Sequence, residues 1–264
     1  MNKIFYINLD SREDRKKLCE DQLNSLGWKY NRFPAINHSN GAAGCAMSHL
    51  KILEIARDNK LPYVIIFEDD FEITDKKLFL AQFTQILDNN TPFDVLKFGA
   101  NAYPPYKYIN DTHIGLNFSL AGHGYMVKKH YYPTLISNIE SSVNLLLKKG
   151  RGENSINCWD VRINLLTKSN NWILLNPICC KQRIDYSDIE EKDVNYNTCE
   201  SLKIDKNIHF CDSFFIVWTE EEKEEMRKKY PNVTEYDYWK GKTKAWHSRL
   251  RRIEASSVKM GFSF

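Results

Sequence analysis

Apolar residues along the first hundred positions fall into short runs separated by amphipathic stretches. Ile4 to Asn8 is an apolar run of strand length, and Arg12 to Leu26 follows with Cys19, Leu23 and Leu26 at helical i, i+4, i+7 spacing before Gly27 stops it. A second extended segment, Tyr30 to Ile36, leads into a loop with Gly41 and Gly44. Ala46, Leu50 and Leu53 then repeat the helical spacing to about Asn59. Tyr63 to Phe67 is wholly apolar, the pattern of a strand covered on both faces. Lys76 to Leu87 predicts a helix and Val95 to Phe98 another strand. This alternation predicts an open, doubly wound α/β sheet. The second half is less regular: a tight turn at Gly122, His123 and Gly124 before a strand, a helix across Ser155 to Thr167 that contains Asp160, and a strand at Trp172 to Leu175.

Composition changes this picture little. With 264 residues, 42% hydrophobic and 27% charged, the chain can bury a sizeable core, and a net charge of +3 implies no nucleic-acid partner. A catalytic domain over residues 1–217 and a helical tail over 218–264 are expected, because composition shifts at Trp218. There Thr219 and Glu222 form a capping box, and Trp239, Trp246, Leu250 and Ile253 make a sparse stripe among basic residues. That basic stripe suits docking on the domain or peripheral contact with an anionic membrane. No apolar run is long enough to span a bilayer, and the first ten residues lack the pattern of a signal peptide, so an intracellular, soluble protein is expected. The seven cysteines include no CxxC and no spacing typical of zinc sites, which suits reduced thiols.

Open α/β sheets bind ligands beyond the carboxyl ends of their strands. Two polar clusters fall there: Asn8, Asp10, Arg12, Asp14 and Arg15 after the first strand, and Glu68, Asp69 and Asp70 after the apolar one. No Walker loop or GxGxxG follows either strand. An acidic triplet alone is more often the wet end of a buried strand than a metal site. Three adjacent carboxylates nonetheless repel one another, and a hard divalent cation offsets that crowding. Arg12 and Arg15 suit either a solvated first helical turn or a forked grip on phosphate. His49 alone reads as a structural histidine as readily as a ligand.

Tyr6 to Arg15 (YINLDSREDR), Gly44 to Leu50 (GCAMSHL) and Val64 to Asp70 (VIIFEDD) stand in the order and spacing of glycosyltransferase family 25, which the chain resembles. That family includes galactosyltransferases of lipooligosaccharide and of collagen hydroxylysine. Gly122 to Val127 (GHGYMV) is similar to its glycine-tyrosine turn, Asp160 to its helical aspartate, and Pro177, Gln182 and Ser187 to Ile189 to its closing motif. The resemblance covers roughly Lys3 to Ile189 and implies a GT-A fold, a UDP-sugar donor such as UDP-galactose or UDP-glucose, Mn²⁺, and inversion at the anomeric carbon. It implies a glycan or hydroxylysine-type acceptor. Residue by residue it implies Glu68 and Asp70 as the ends of a DxD-type metal motif, with Asp69 at the ribose. Asn8, Asp10, Arg12 and Arg15 fall on the donor side, Ser48 and His49 shape the pocket, and Ser187 with Asp188 borders it. His123 ranks below its structural alternative as a further metal or phosphate contact.

An inverting transfer needs a base for the acceptor hydroxyl, and Asp160 is preferred over Asp188. A metal-dependent nucleotidyl or phosphoryl transferase, or a sugar-nucleotide binding module without turnover, would use the same carboxylates.

Overall fold

The computed structural model describes residues 2–103, 107–152, 155–167 and 169–195, together with Lys228. The expected boundary at 217/218 and the tail helix fall outside the described residues, apart from Lys228. None of the described helices is long and apolar enough to cross a membrane.

The chain opens as the apolar pattern predicts. Strand β1 (Ile4–Asn8) leads to helix α1 (Glu13–Ser25), strand β2 (Asn31–Pro34) to helix α2 (Gly41–Asp58), and strand β3 (Tyr63–Glu68) follows. β1 pairs in parallel with both β2 and β3. A short strand β4 (Phe71–Ile73), helix α3 (Lys76–Asp88) and strand β5 (Val95–Lys97) come next. Short strands β6 (Asn101–Tyr103), β7 (Lys107–Asn110), β8 (His113–Gly115) and β9 (Phe118–Leu120) precede β10 (Gly124–Lys128) and the long helix α4 (Tyr132–Lys149). The helix expected across Ser155 to Thr167 is instead two four-residue pieces, α5 (Trp159–Arg162) and α6 (Asn164–Thr167). The buried Asn164 side chain donates to the Val161 and Ser119 carbonyls at 2.9 Å each, so it ties the junction to β9. Strands β11 (Trp172–Leu175), β12 (Cys180–Gln182), β13 (Asp185–Ser187) and β14 (Lys192–Val194) complete the described chain.

Among the described residues, eight strands form one sheet in the order β2-β1-β3-β10-β5-β11-β8-β7. It is α/β as expected, but mixed. β10 runs antiparallel between β3 and β5, and β8 runs antiparallel to β11.

Side chains alternate across this sheet, which explains the unbroken apolar run of β3. Val64 and Ile66 face a core completed by Ile52 and Leu53 of α2 and Leu135 and Ile139 of α4. Ile65 and Phe67 face a second core with Leu23 of α1 and Phe79 and Phe83 of α3. Each such side chain contributes about 1.5–3 kcal/mol on burial, so both faces must be covered for the strand to be stable.

Helix α2 begins earlier than its apolar spacing suggests. Gly41 and Gly44 lie inside it, because the Asn40 side chain caps the helix by accepting the Ala43 N–H at 3.2 Å. A side chain at Gly44 would collide with the Ile36 carbonyl oxygen. The preceding segment therefore lies flat on the helix.

Candidate functional site

β1 and β3 are parallel neighbours, so their carboxyl ends bring Asn8 and the Glu68, Asp69, Asp70 triplet to one edge. Asn8 is buried there. Its amide donates to Asp69 Oδ2 at 2.8 Å and to the Arg12 carbonyl at 3.0 Å, while its own oxygen accepts from Arg32 Nε at 3.0 Å. Asp10 is exposed and pairs with Arg32 at 2.6 Å. Both Asp69 oxygens are engaged, one by Asn8 and the other by Arg15 Nη1 at 2.9 Å.

Arg15 is buried and spends its remaining donors on the β13–β14 hairpin, meeting Asp185 at 3.0 Å and the Tyr186 carbonyl at 2.5 Å. Arg12 meets Asp188 at 2.7 Å, Asp185 at 3.2 Å and Asp14 at 2.8 Å. Of the two readings open for these arginines, neither holds alone: their forked donors fall on hairpin carboxylates. A phosphate reaching Arg12 would displace Asp188 or Asp185. Ser187 Oγ accepts the Glu190 N–H at 3.1 Å and shapes the hairpin turn. Arg151 reaches the same turn through Glu190 at 2.5 Å.

Glu68 and Asp70 have a different environment. Asp70 Oδ2 accepts from Gln182 of β12 at 3.0 Å, while its buried Oδ1 has no hydrogen-bond partner among the described residues. Burial, reinforced by the Glu68 and Asp69 charges, pushes the Asp70 carboxyl up to about 7. Burial and the Asp160 and Asp69 charges push Glu68 up to about 8. A divalent cation would relieve this strain, and an orphaned carboxylate oxygen suits its hard-oxygen preference. Glu68 and Asp70 therefore fit the metal that the resemblance implies.

Helix α2 supplies Ser48 and His49 to this end of the sheet. The Ser48 hydroxyl is committed to backbone, donating to the Gly44 carbonyl and accepting the Ile36 N–H at 2.8 Å each. It fixes the segment before the helix. His49 is fully buried between Tyr125 and Trp159, with ring centroids 5.7 and 4.1 Å away. Its Nδ1 lies 2.8 Å from the Tyr125 hydroxyl and its Nε2 3.0 Å from Glu68 Oε1. Burial pulls its pKa down to about 3, so the ring is neutral. The tautomer sets the direction of both contacts: a proton on Nε2 is given to Glu68 while Nδ1 accepts from Tyr125, and a proton on Nδ1 is given to Tyr125 while Nε2 accepts from a protonated Glu68.

Asp160 opens α5 beside these groups, and its charge acts on both Glu68 and His49. Its Oδ2 accepts the Ala121 N–H at 3.3 Å. Ala121 has φ 73°, a left-handed conformation costly for a residue with a Cβ. The contacts on both sides hold it there, since its carbonyl accepts from Lys97 Nζ at 2.5 Å. Next to it, Gly122 leaves room for the Trp159 ring, which any Cβ at that position would strike. His123 is fully buried with its Nε2 3.4 Å from the Cys180 carbonyl, a structural setting.

Lys97, Asp185 and Arg32 were not singled out in the sequence, and Tyr125 entered only as the tyrosine of the GHGYMV motif, yet they build the site. The signal for Lys97 is a lone charge inside the apolar stretch Val95 to Phe98. It is buried near Glu68, and its charge offsets part of the rise in that carboxyl's pKa. Asp185 carries no comparable signal, because only the hairpin's return brings it to Arg12 and Arg15.

Residues 37–152 match the model of glycosyltransferase family 25, described as an LPS biosynthesis protein family. The resemblance read from the motifs is borne out over that stretch, which holds α2, the acidic triplet and β10. A Haemophilus influenzae (strain ATCC 51907 / DSM 11121 / KW20 / Rd) protein named "Putative glycosyltransferase" is 32% identical over 84 residues, 32% of this chain. The match spans 29% of that protein's length. Among solved structures, a glycosyltransferase involved in glycosylation of the major capsid of PBCV-1 aligns at 11% identity over 57% of this chain and 68% of its own, with a TM-score of 0.38. The mannose-1-phosphate geranyltransferase of Thermus thermophilus aligns at 8% identity over 65% of this chain and 58% of its own, with a TM-score of 0.37.

Proposed function

We propose that this chain, similar over residues 37–152 to glycosyltransferase family 25, is an inverting glycosyltransferase. It moves a hexose, galactose or glucose, from a UDP-sugar to a hydroxyl of a glycan or a hydroxylated protein side chain. The observation that carries this reading is the pair of strained carboxyl groups, Glu68 and Asp70, at the end of β3, with Asp70 Oδ1 unpartnered among the described residues and Asp160 close by.

In this reading Glu68 and Asp70 hold Mn²⁺. Held there, such an ion would supply positive charge to screen the donor's diphosphate and to offset the charge on its departure. Asn8, Arg15 and Asp69 keep the edge of the donor pocket rigid through their mutual hydrogen bonds. His49 positions Glu68. Asp160 accepts the acceptor hydroxyl's proton as the oxygen forms its bond to the anomeric carbon and the bond from that carbon to the phosphate oxygen breaks. The charge leaves on UDP.

Incubating the purified chain with UDP-galactose or UDP-glucose and Mn²⁺ tests this. Slow release of UDP and free sugar, stimulated by the right acceptor hydroxyl, is expected. Release of UMP would mean phosphoryl or nucleotidyl transfer instead, and binding without release would mean a module that does not turn over.

A further inference from the structure

Helix α2 carries a second potential ligand beside His49. Cys45 stands one helical turn before it on the same face, so its thiol also points at the end of β3. Cys45 Sγ lies 3.9 Å from Glu68 Oε1 and His49 Nε2 lies 3.0 Å from the same oxygen; all three donor atoms fall within 4.8 Å of one another. Ordinary zinc bond lengths to sulfur, nitrogen and oxygen place tetrahedral ligand atoms about 3.3–3.6 Å apart. The triad reaches that spacing if the Cys45 side closes and the 3.0 Å pair of His49 and Glu68 opens by a few tenths of an ångström.

We propose that Cys45, His49 and Glu68 form a binding site for a zinc-class divalent cation, distinct from a hard-oxygen site at Asp70 and sharing Glu68 with it. The donor set is mixed thiolate, imidazole and carboxylate, which favours zinc over magnesium or manganese. Glu68 also gains from it, since the 3.9 Å approach of the Cys45 thiol is a poor hydrogen bond for a buried carboxylate. The imidazole has the outer partner that metal-bound histidines have, because the Tyr125 hydroxyl at 2.8 Å can accept an Nδ1 proton and leave Nε2 free to bind. On binding, the Cys45 thiol and the Glu68 carboxyl, where it is protonated, give up their protons to solvent, while His49, already neutral, binds as the tautomer with its proton on Nδ1. Three protein ligands leave a fourth position, and Asp160 is the neighbouring carboxylate whose charge reaches all three groups. Among the described residues Cys45 forms no disulfide.

The test needs no donor sugar, so it fails or succeeds independently of the glycosyltransferase reading. The full chain, stripped by chelator and kept reduced, is titrated with Co²⁺ as an optical stand-in for zinc. One equivalent should raise a thiolate-to-cobalt charge-transfer band, which Zn²⁺ then abolishes. Cys45→Ser should lose the band and keep its far-ultraviolet circular dichroism. Asp70→Asn should keep the band. Tyr125→Phe should weaken Zn²⁺ binding about 10–100-fold, the usual effect of losing a histidine's outer partner. No band in the wild-type chain, a band that survives Cys45→Ser, or a band lost with Asp70→Asn would each overturn the proposal. If Cys45→Ser does not fold, X-ray absorption at the zinc edge of the loaded wild-type chain decides. One sulfur in the first shell supports the site, and a shell of nitrogen and oxygen alone overturns it.

Discussion

Arg15 donates to Asp69 Oδ1 at 2.9 Å while the same guanidinium holds Asp185 of the β13–β14 hairpin at 3.0 Å. One buried cation thus joins the acidic triplet after β3 to a strand about 115 residues later in the chain. A lysine keeps the charge but cannot present three donors in a fixed fork. Arg15→Lys should lose the contacts to Asp185 and the Tyr186 carbonyl and cost about 1–3 kcal/mol of stability. Amide exchange across residues 185–194 should speed up in the variant. Unchanged exchange there would mean that the hairpin is held by its other contacts, Arg12 and Arg151.

Asp70 is the residue whose removal should act most directly on the implied metal. Asn is nearly isosteric and can still accept from Gln182, yet it carries no charge. Asp70→Asn should weaken Mn²⁺ binding and lower donor binding and turnover together. Isothermal titration with Mn²⁺, alone and with UDP, checks this. Mn²⁺ affinity equal to wild type would remove Asp70 from the metal site.

The same carboxyl groups set a pH dependence whose sign follows from linkage. Glu68 and Asp70 are pushed up in the folded chain, to about 8 and about 7. Between the ordinary carboxyl range, about pH 4, and those values the folded state holds protons that the unfolded state has released. Stability of the metal-free chain therefore falls as pH rises through this window. Mn²⁺ binds the ionised groups, so its stabilising effect should grow over the same range. Melting curves at about pH 5.5 and about pH 8, with chelator or Mn²⁺, read both effects. In chelator, Asp70→Asn should gain on wild type by on the order of 1 kcal/mol between those two pH values. A difference that stays constant with pH would show that Asp70 ionises normally.

Much of the first half was legible because its local signals agree with the fold. β1, α1, β2, β3, α3 and β5 each coincide with a run or spacing visible in the sequence, and the triplet after β3 stands where parallel strands end. Helix α4 carries Leu135, Ile139, Val143 and Leu146 at helical spacing but was not among the elements predicted. It is the main cover of α2, and its omission left one face of the sheet unaccounted for. The insertion of β10 between β3 and β5 is a long-range pairing, which local periodicity cannot express. Cys45 with His49 is unreadable as a ligand pair without Glu68, which lies on another element and completes no familiar spacing. Conversely, Arg12 and Arg15 looked available for phosphate because their hairpin partners, Asp185 and Asp188, arrive only by tertiary contact.

Asp160 offers the most direct test of the proposed chemistry, because its surroundings separate the proton from the scaffold. Its Oδ2 accepts the N–H of Ala121, whose left-handed backbone is held on the other side by Lys97. Asn can make that same contact through its amide oxygen, so the turn and the Trp159 packing should survive. It cannot take a proton from an acceptor hydroxyl. Asp160→Asn should therefore keep Mn²⁺ and UDP-sugar affinity while cutting turnover by roughly 10²–10⁴-fold, the usual scale of a lost general base. Asp160→Ala should also unfasten the Ala121 N–H and lower the melting temperature, which Asn should not. A drop of less than about tenfold in turnover for Asn would make Asp160 a support for the Ala121 turn. A collapse of donor affinity would instead assign it to the donor or metal site, and the base would then be sought at Asp188, on whose carboxylate Arg12 already bears at 2.7 Å.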